Sequence, residues 1–540
     1  MKQVLFLLAA CAVLTSCSDN VKSTHVWLTS EAGDKCAEQP TIVFQEGTVE
    51  GAVVVNLSDK RQIIDGFGGS LTESSAFVLA CLQPEQRQAV LQELFGENGA
   101  NFSVARTQIG ASDFSVEGKY SLAEEDGDVE LRSFSLDRDK EGFSKDRYPQ
   151  VKDEHYDLYH LMLDVWNIKQ AQQDKSYRLM ANTWTAPAWM KENKKYYERE
   201  NGFHRGGALL PEYYGTYADY LVRYLDAWRK EGVKIWAVTP VNEPMGNDGG
   251  WESMDFSPAV EAEFIGKYLG PALKNNGFED VKIFGFDQNI FEMGPYTAAI
   301  YGDSLAEAFT TGMAVHWYGN TISCFPHVLD SVHNLYPNKT IFHSEGCIDN
   351  LGCDAWSGVT DPVGFKEAGW FNNDSFWWSK IATDWAYSTP WDQGMHPAYS
   401  PVQRYAQYII EGVNHWLTGF CDWNIVLDSI GGPNHVNNFA AAPVMVDYQN
   451  DIVYFTPYYY ALKQFSLSMR PGDIVLGVSD VEIEDVYMCA VQKQDGDIAL
   501  NILNKNAHEV GFPVQIGDYF ATITIPANAV ETIIVTQSTK

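Results

Sequence analysis

Residues 237–246 read AVTPVNEPMG. An apolar run that suits a β-strand, VKIWAVTPV (233–241), ends there in the polar triplet Asn242-Glu243-Pro244. In a parallel α/β barrel, catalytic groups lie at the carboxyl ends of strands, whereas a glutamate that only aids solubility is more often found on an outer helix. The stretch therefore predicts a buried strand that carries a functional carboxylate, Glu243, at its tip; the alternative is a solvated loop glutamate.

Strand-like and helix-like segments alternate along the chain from about residue 61. The candidate strands are 62–66, 102–108, 177–184, 233–241, 281–286, 312–317, 340–344 and 419–427. Between them, apolar residues recur at the three- and four-residue spacing of amphipathic helices, as in 211–232. Eight strands are the number that closes a (β/α)8 barrel. We therefore predict an α/β fold, with a TIM barrel over residues 61–453.

Both ends of the chain carry short β-like runs separated by turn residues. THVWLT, TIVFQE and AVVVNL lie in 24–60, and DIVLGV, VYMCAVQ, DIALNILN and FATITI lie in 454–540. The C-terminal run is too small to make a full sandwich alone, so we expect the entry strands 24–60 to join it. The prediction is an appended β-sandwich built from both chain ends and packed rigidly on the barrel.

The first 17 residues, MKQVLFLLAACAVLTSC, combine a basic residue with a short apolar run and end at Cys17. This pattern is typical of a bacterial lipoprotein signal that is cut before a lipidated Cys17; an ordinary secretory signal is the alternative. No later segment is apolar for long enough to span a bilayer. We therefore expect an exported lipoprotein of a bacterial cell envelope, held at the membrane only through a lipid anchor.

The composition narrows the class of partner. With 38 Lys and Arg against 71 Asp and Glu, the formal charge of −33 disfavours nucleic acid and anionic membranes. Nine scattered cysteines fit neither a disulfide framework nor a zinc site. Sixteen Trp, 28 Tyr and 28 Phe suit a ligand with apolar ring faces, such as a sugar, although most of them must fill the core.

A second carboxylate follows a strand-like run in TIFHSEGC (340–347), where Glu345 comes directly after Ser344. If Glu243 ends the fourth strand and Glu345 the seventh, both side chains point into the same barrel mouth. Two carboxylates that face one cleft are the minimal apparatus for glycoside hydrolysis, one as proton donor and one as nucleophile. The pair therefore indicates a glycosidase.

Other strand ends supply residues that a sugar site needs. Aromatic faces of Trp184 and Trp423 can stack on a pyranose, and Asn182 and His316 can bind hydroxyl groups. Arg106 can hold a carboxylate ionised. Each also has a structural interpretation: the tryptophans as caps of the barrel core, His316 as a core histidine with its hydrogen bonds satisfied, and Arg106 in a structural ion pair. Their occurrence at successive strand ends favours a binding site.

These motifs together resemble glycoside hydrolase family 30, the glucosylceramidase family, across nearly the whole chain after the leader. The matching stretches are DGFGGSLTESSA, RTQIGASDFS, NTWTAPAWMK, WAVTPVNEP, AVHWY, FHSEGC, DWNIVLD and GGPN. The resemblance implies a retaining double displacement without a metal or cofactor, with Glu243 as acid/base and Glu345 as nucleophile. The other residues that it implies are Asn242 at the 2-hydroxyl, Trp184 and Trp423 at the −1 subsite, and His316 and Tyr318 beside the nucleophile.

Two positions depart from the family pattern. Glu73 stands where an aspartate is expected to hold a sugar hydroxyl, and Asp428 stands where an asparagine is expected. Both bear on the substrate, which the resemblance leaves open between glucosylceramide, a β-1,6-glucan and another β-glycoside. A remote alternative is a non-catalytic lipoprotein that captures sugars, but such a protein is free to lose one carboxylate, and both are present here.

Overall fold

The computed structural model describes residues 21–173, 175–200, 203–245, 250–348, 369–381, 394 and 397–537. Its strands are β1 (Val21–Lys22), β2 (Thr24–Ser30), β3 (Ala37–Gln39), β4 (Phe44–Glu46), β5 (Val53–Ile63), β6 (Gly66–Leu71), β7 (Val104–Ile109), β8 (Arg178–Thr183), β9 (Glu198–Glu200), β10 (Phe203–Arg205), β11 (Ala237–Thr239), β12 (Lys282–Asn289), β13 (Thr310–His316), β14 (Thr340–Glu345), β15 (Leu417–Asp422), β16 (Val426–Asp428), β17 (Val444–Asp447), β18 (Ile452–Phe455), β19 (Ile474–Val478), β20 (Val486–Gln492), β21 (Ile498–Asn504), β22 (Val510–Ile516), β23 (Tyr519–Ile525) and β24 (Ala529–Val535).

The helices in the same ranges are α1 (Glu73–Ala80), α2 (Pro84–Phe95), α3 (Leu158–Ala171), α4 (Tyr214–Lys230), α5 (Pro258–Phe264), α6 (Gly270–Asn275), α7 (Met293–Gly302), α8 (Ser304–Phe309), α9 (Pro326–Leu335), α10 (Asp374–Trp378), α11 (Pro401–Asn414) and α12 (Pro457–Ser468). A π-helical turn, Ile265–Leu269, joins α5 to α6. Short 3-10 turns lie at Asp137–Lys140, Ala188–Met190, Pro211–Tyr213 and Ile290–Glu292.

A closed barrel forms the larger part of the molecule. Its strand order is β11-β12-β13-β14-β15-β6-β7-β8, and every neighbouring pair is parallel. Parallel neighbours need long crossover connections, and the amphipathic helices between the strands provide them. The prediction of a (β/α)8 barrel is confirmed.

The first barrel strand lies later than the sequence suggested. The barrel uses Gly66–Leu71, whereas the residues before Ile64 belong to β5 of the other sheet, so the predicted strand 62–66 is wrong. Glycine-rich runs have low strand propensity, so the sequence GFGGSL does not predict a strand at Gly66–Leu71. The glycines are needed for close packing: a Cβ atom on Gly68 would lie 1.8 Å from the carbonyl oxygen of Val104.

The barrel interior contains a layer of fully buried apolar side chains. Seven of the eight strands contribute one residue each: Val104, Met180, Ala237, Phe284, Ala314, Phe342 and Cys421. The eighth strand, β6, contributes glycine backbone instead of a side chain. Such layers make a TIM barrel a packed core rather than a pore, and they form the floor on which the residues of the mouth rest.

The second sheet combines the two ends of the chain, as predicted. Its order is β1-β4-β23-β22-β5-β19-β20-β21-β24-β2-β3, so β5 lies between C-terminal strands β22 and β19. The strands enclose a second apolar core that includes Val26, Val55, Phe512 and Ile533. Because strands from both ends share one core, neither end can form this unit alone.

Helix α12 joins the two units, although it lies within residues 454–540, for which the sequence predicts only the sandwich. Phe465 of α12 stacks on Phe67 of the barrel, with ring centroids 6.4 Å apart. On the other side, the Gln464 amide donates a hydrogen bond of 3.1 Å to the carbonyl oxygen of Trp27 in β2. These contacts fit the expected rigid packing of barrel on sandwich.

Two further expectations concern cysteines and the membrane. The six cysteines in the described residues are free thiols, five of them buried. In the same residues, no helix combines the length and the apolar character that crossing a bilayer requires.

Candidate active site

A polar layer lies directly above the apolar layer of the barrel. Side chains two residues apart on a strand share a face. The residues two positions after Val104, Met180, Ala237, Ala314 and Phe342 are all polar and buried: Arg106, Asn182, Thr239, His316 and Ser344. On β12 the pairing register shifts between Phe286 and Gln288, and the residue that joins this layer is Asp287.

Asp287 is the centre of this layer. Its Oδ2 atom accepts hydrogen bonds from Arg106 Nη2 at 3.0 Å, Asn182 Nδ2 at 2.6 Å and Thr239 Oγ1 at 2.9 Å. Its Oδ1 atom lies 3.1 Å from His316 Nε2 and accepts from Ser344 Oγ at 2.5 Å. Burial alone would raise the pKa of Asp287, but the Arg106 charge and these hydrogen bonds outweigh it and hold the pKa below its usual range. The carboxylate is therefore ionised at every working pH.

Arg106 connects Asp287 to the residues of the barrel mouth. It is fully buried and donates to Glu345 Oε2 at 2.5 Å and to Asn242 Oδ1 at 2.6 Å. Its guanidinium also lies over the Trp184 ring, 4.8 Å from the centroid. The same cation thus holds the end of β14 and the loop after β11.

Glu243 reaches the mouth through a left-handed backbone conformation, with φ of 51°. Its amide nitrogen donates a hydrogen bond of 3.0 Å to the carbonyl oxygen of Asp287. Burial raises the pKa of the Glu243 carboxyl; His316 opposes this shift, and the Glu345 and Asp287 carboxylates reinforce it. A group protonated above the usual carboxyl range is suited to donate a proton.

Glu243, Glu345 and His316 converge on one point. One carboxylate oxygen of each glutamate and a ring nitrogen of His316 all lie within 4.8 Å of one another. Carboxyl groups about 5 to 5.5 Å apart are typical of retaining glycosidases, whereas inverting enzymes need about 6.5 to 9.5 Å. The geometry therefore fits the retaining mechanism.

The His316 ring lies near the carboxylates of Glu243, Asp287 and Glu345, which favour its protonated form. Burial alone would lower its pKa, but the Glu345 charge, the hydrogen bond to Asp287 and the Glu243 carboxylate 3.4 Å away outweigh burial and raise the pKa to about 9. The three groups have the spacing of possible metal ligands, and the expectation of a metal-free site stays a prediction.

Aromatic residues surround the two glutamates. The Tyr318 hydroxyl donates to Glu345 Oε1 at 3.0 Å and lies 3.4 Å from Cys347 Sγ. Trp184 and Trp423 stack on each other, with centroids 5.0 Å apart, and are almost fully buried. They form part of the wall beside Arg106, and their contact with a sugar stays a prediction.

Not every predicted residue lies in this group. Glu73 is the first residue of α1. Its carboxylate accepts hydrogen bonds from Arg138 Nη2 at 3.2 Å and from the Val116 amide at 3.0 Å. Asp428 Oδ1 accepts from the amides of Ile430 and Gly432 at 3.0 and 2.9 Å, and so stabilises a turn. Cys17 lies outside the described residues.

Two further acids lie at the barrel mouth, Asp287 and Asp113, and neither is among the residues predicted from the sequence. Asp287 follows directly on the predicted strand 281–286, so the strand-end rule that found Glu243 would have found it too. Asp113 lies in the quoted motif RTQIGASDFS; its Oδ2 accepts from Asn438 Nδ2 at 2.9 Å, while its buried Oδ1 has no hydrogen-bond partner. Burial raises the pKa of Asp113 well above its usual value, and the nearby Glu345 charge adds to this.

A closed (β/α)8 barrel with two carboxylates at the ends of its fourth and seventh strands is the architecture of a glycoside hydrolase. The model of the glycosyl hydrolase family 30 TIM-barrel domain matches residues 64–361 and 382–469, and that of the family 30 beta sandwich domain matches 474–533. The chain belongs to glycosyl hydrolase family 30. It is therefore a glycoside hydrolase of the retaining type.

Two relatives of the chain bear the names of different glycosidases. Lysosomal acid glucosylceramidase of Mus musculus is 29% identical over 462 residues, which cover 85% of this chain and 78% of that protein. Endo-1,6-beta-D-glucanase of Neurospora crassa is 24% identical over 469 residues, covering 85% and 82%. Among solved structures, SrfJ from Salmonella typhimurium has a TM-score of 0.75 at 24% identity and covers 96% of this chain and 100% of that one.

The His316→Asn variant should change the pH dependence of activity. Because His316 acts to lower the pKa of Glu243, its removal leaves burial to raise that pKa further. The alkaline limb of kcat/KM should then move to higher pH by about one unit, as expected for the loss of a neighbouring charge. The measurement is the pH profile with an aryl β-glucoside.

His415→Asn is the control for this experiment, because His415 pairs with Asp330 away from the barrel mouth. An alkaline limb that stays in place, or moves down, in His316→Asn would contradict the assigned interaction.

Proposed function

We propose that this protein hydrolyses β-glucosidic bonds, with Glu345 as nucleophile and Glu243 as acid/base. The observation that carries the proposal is the approach of these two carboxyl groups to within 4.8 Å. Their environments differ in the way that the reaction requires. Burial raises the pKa of Glu243, as suits a proton donor, while Arg106 and Tyr318 orient the two oxygens of Glu345.

In the first step, a Glu345 oxygen attacks the anomeric carbon and the bond from that carbon to the leaving oxygen breaks. Glu243 gives its proton to the leaving oxygen, so the leaving group departs as a neutral alcohol. In the second step, Glu243 takes a proton from water, whose oxygen replaces Glu345 at the anomeric carbon. Two inversions give net retention.

The sugar bound beside Glu345 needs hydrogen-bond acceptors for its hydroxyl groups. Asp113 offers the buried, unpaired Oδ1 atom near both catalytic glutamates, and Asn438 fixes its other oxygen. Asn242, held by Arg106, comes directly before Glu243. We assign these two side chains to hydroxyl recognition in the glycone subsite.

Replacing either glutamate should stop turnover in a distinguishable way. Glu345→Gly should lose activity by about four orders of magnitude or more, as expected for loss of a nucleophile, and azide should restore cleavage to give an α-glycosyl azide. Glu243→Ala should instead give a β-glycosyl azide, because the covalent intermediate still forms with an activated aryl glucoside. Product anomers are measured by NMR.

Glu531→Gln is the matched control, since Glu531 is a buried carboxylate in the sandwich, and it should keep wild-type activity. The same azide anomer from both glutamate variants would overturn the role assignment.

The leaving-group side of the site supports a substrate with an apolar aglycone. In this mechanism the leaving group departs on the side of Glu243, and Met245, two residues after Glu243, is 54% exposed. Its amide donates to Gln288 Oε1 of β12 at 3.3 Å, and Phe291, in the 3-10 turn that directly follows β12, is 47% exposed. The exposed apolar side chains of Met245 and Phe291 favour glucosylceramide, whose leaving group is a lipid, over a β-1,6-glucan, whose leaving group is another sugar.

Alkyl β-glucosides of increasing chain length test this assignment. For the wild type, kcat/KM should rise with each methylene by a factor of up to about four, the limit set by full burial of a CH2 group. The double variant Met245→Ser/Phe291→Ser should flatten this dependence and leave the methyl glucoside unaffected. Leu335→Ser, at an exposed apolar residue of α9, is the control.

A β-1,6-glucan that is cleaved faster than octyl β-glucoside would reject the apolar aglycone and favour the endo-glucanase alternative.

We also propose that the protein is an exported lipoprotein anchored through Cys17. The support is the leader sequence described above, which ends in LTSC. In a bacterial host, the wild type should incorporate radiolabelled palmitate and sediment with membranes, whereas Cys17→Ser should do neither. Release of unlabelled wild-type protein into the soluble fraction would favour an ordinary secretory signal.

A further inference from the structure

Strand β12 breaks its inside–outside alternation where it enters the active site. Phe284 points into the barrel with the apolar layer. Regular alternation would turn Phe286 inward as well, but Phe286 packs on Tyr296 of α7, outside the barrel, with ring centroids 4.9 Å apart. Asp287 takes the inward position instead. The register shift between Phe286 and Gln288 is the β-bulge that makes this exchange possible.

The bulge is a strained piece of backbone. Phe286 and Asp287 have φ angles of 75° and 60°, so two consecutive residues other than glycine lie in the left-handed region. Residues with a Cβ atom adopt this conformation only where surrounding contacts impose it. A specific contact must therefore hold the turn.

Glu261 of α5 supplies such a contact. Its side chain is fully buried, and its Oε1 atom accepts a hydrogen bond of 2.8 Å from the amide nitrogen of Phe286, where the left-handed pair begins. The same oxygen would lie 3.3 Å from a Cβ atom on Gly285, so glycine at that position leaves room for the carboxyl group. Glu261 Oε2 has no hydrogen-bond partner.

The turn that Glu261 holds sets both catalytic glutamates. The Asp287 side chain binds Arg106, which binds Glu345. The Asp287 carbonyl oxygen accepts from the amide of Glu243. A small displacement of Asp287 would therefore move the nucleophile and the proton donor together.

We propose that Glu261 is a positioning residue for catalysis: by binding the Phe286 amide it holds the left-handed turn that presents Asp287 to Arg106 and Glu243. It acts as a hydrogen-bond acceptor and not as a charge. Burial raises the pKa of Glu261 to about 8, with the Asp287 carboxylate adding to the shift, so the group is mainly neutral at pH 7. This role rests on the catalytic functions proposed above for Glu243 and Glu345.

Two replacements separate an acceptor from a charge. Glu261→Gln keeps an oxygen for the Phe286 amide and should retain kcat within about twofold. Glu261→Leu has a similar volume but no acceptor, and kcat should fall at least about tenfold with KM changed by less than about threefold, because the displaced groups act in the transition state. Both constants are measured with an aryl β-glucoside, together with the Tm of each variant.

Glu531→Gln and Glu531→Leu are the matched controls. Glu531 is also buried, and burial raises its pKa to about 7, but it lies on β24 of the sandwich. Both variants should keep wild-type kcat even where they shift the Tm. Wild-type kcat in folded Glu261→Leu would overturn the proposal, as would equal losses in Glu261→Leu and Glu261→Gln.

Crystal structures of the two Glu261 variants provide a readout without activity. Glu261→Leu should lose the left-handed pair or lengthen the contact of Asp287 with Arg106, and Glu261→Gln should preserve both. An unchanged bulge in Glu261→Leu would reject the positioning role. A wild-type enzyme inactive on all β-glycosides would instead reject the proposed function, while the crystal structures would still decide the role of Glu261.

Discussion

The buried ion pair of Arg106 and Asp287 is the interaction on which the rest of the site depends. Both side chains are fully buried, so their charges must be matched by partners, because an unmatched buried charge costs several kcal/mol. Asp287 meets this demand with donors from β7, β8, β11, β13 and β14. Because these partners come from five different strands, the pair also fixes the relative positions of the strand ends. The cost of burying charge is thus offset within the same network that positions Glu243 and Glu345.

The two glutamates receive different environments from this one network. Glu345 is bound by Arg106 on one oxygen and by the Tyr318 hydroxyl on the other. Glu243 lies 3.4 Å from His316 and otherwise meets burial and negative charge, which together raise its pKa. Environments that treat two neighbouring carboxyl groups unequally are what assign the acid and the nucleophile in a glycosidase. Glu345 is linked through Arg106 to the Asp287 side chain, whereas Glu243 is linked to the Asp287 backbone carbonyl oxygen.

The sequence predicted those parts of the molecule that follow from a local pattern. Apolar runs that end in polar residues located Glu243, Glu345, Arg106 and His316, because parallel barrel strands all present their carboxyl ends at one mouth. Strand β6 could not be predicted because its glycines, which allow close packing of the backbone, have a low propensity for β-strands. Asp287 directly follows a predicted strand, but its inward orientation depends on a bulge held by Glu261 of α5, and regular alternation predicts the inward position for Phe286 instead. The contacts of Glu73 with Arg138 and Val116 are tertiary, and no spacing in the sequence encodes them.

The place of β5 between β19 and β22 has a consequence for the order in which the molecule can assemble. During synthesis β5 emerges directly before the first barrel strand, yet it pairs with Ile474–Val478 and Val510–Ile516, which emerge after the whole barrel. Until then its edges are open, and open strand edges are prone to pair with other chains. Contacts between such distant parts of a chain form slowly. Until the sandwich is complete, the growing chain is therefore exposed to aggregation, and β5, although it is synthesised before the barrel, is secured only after it.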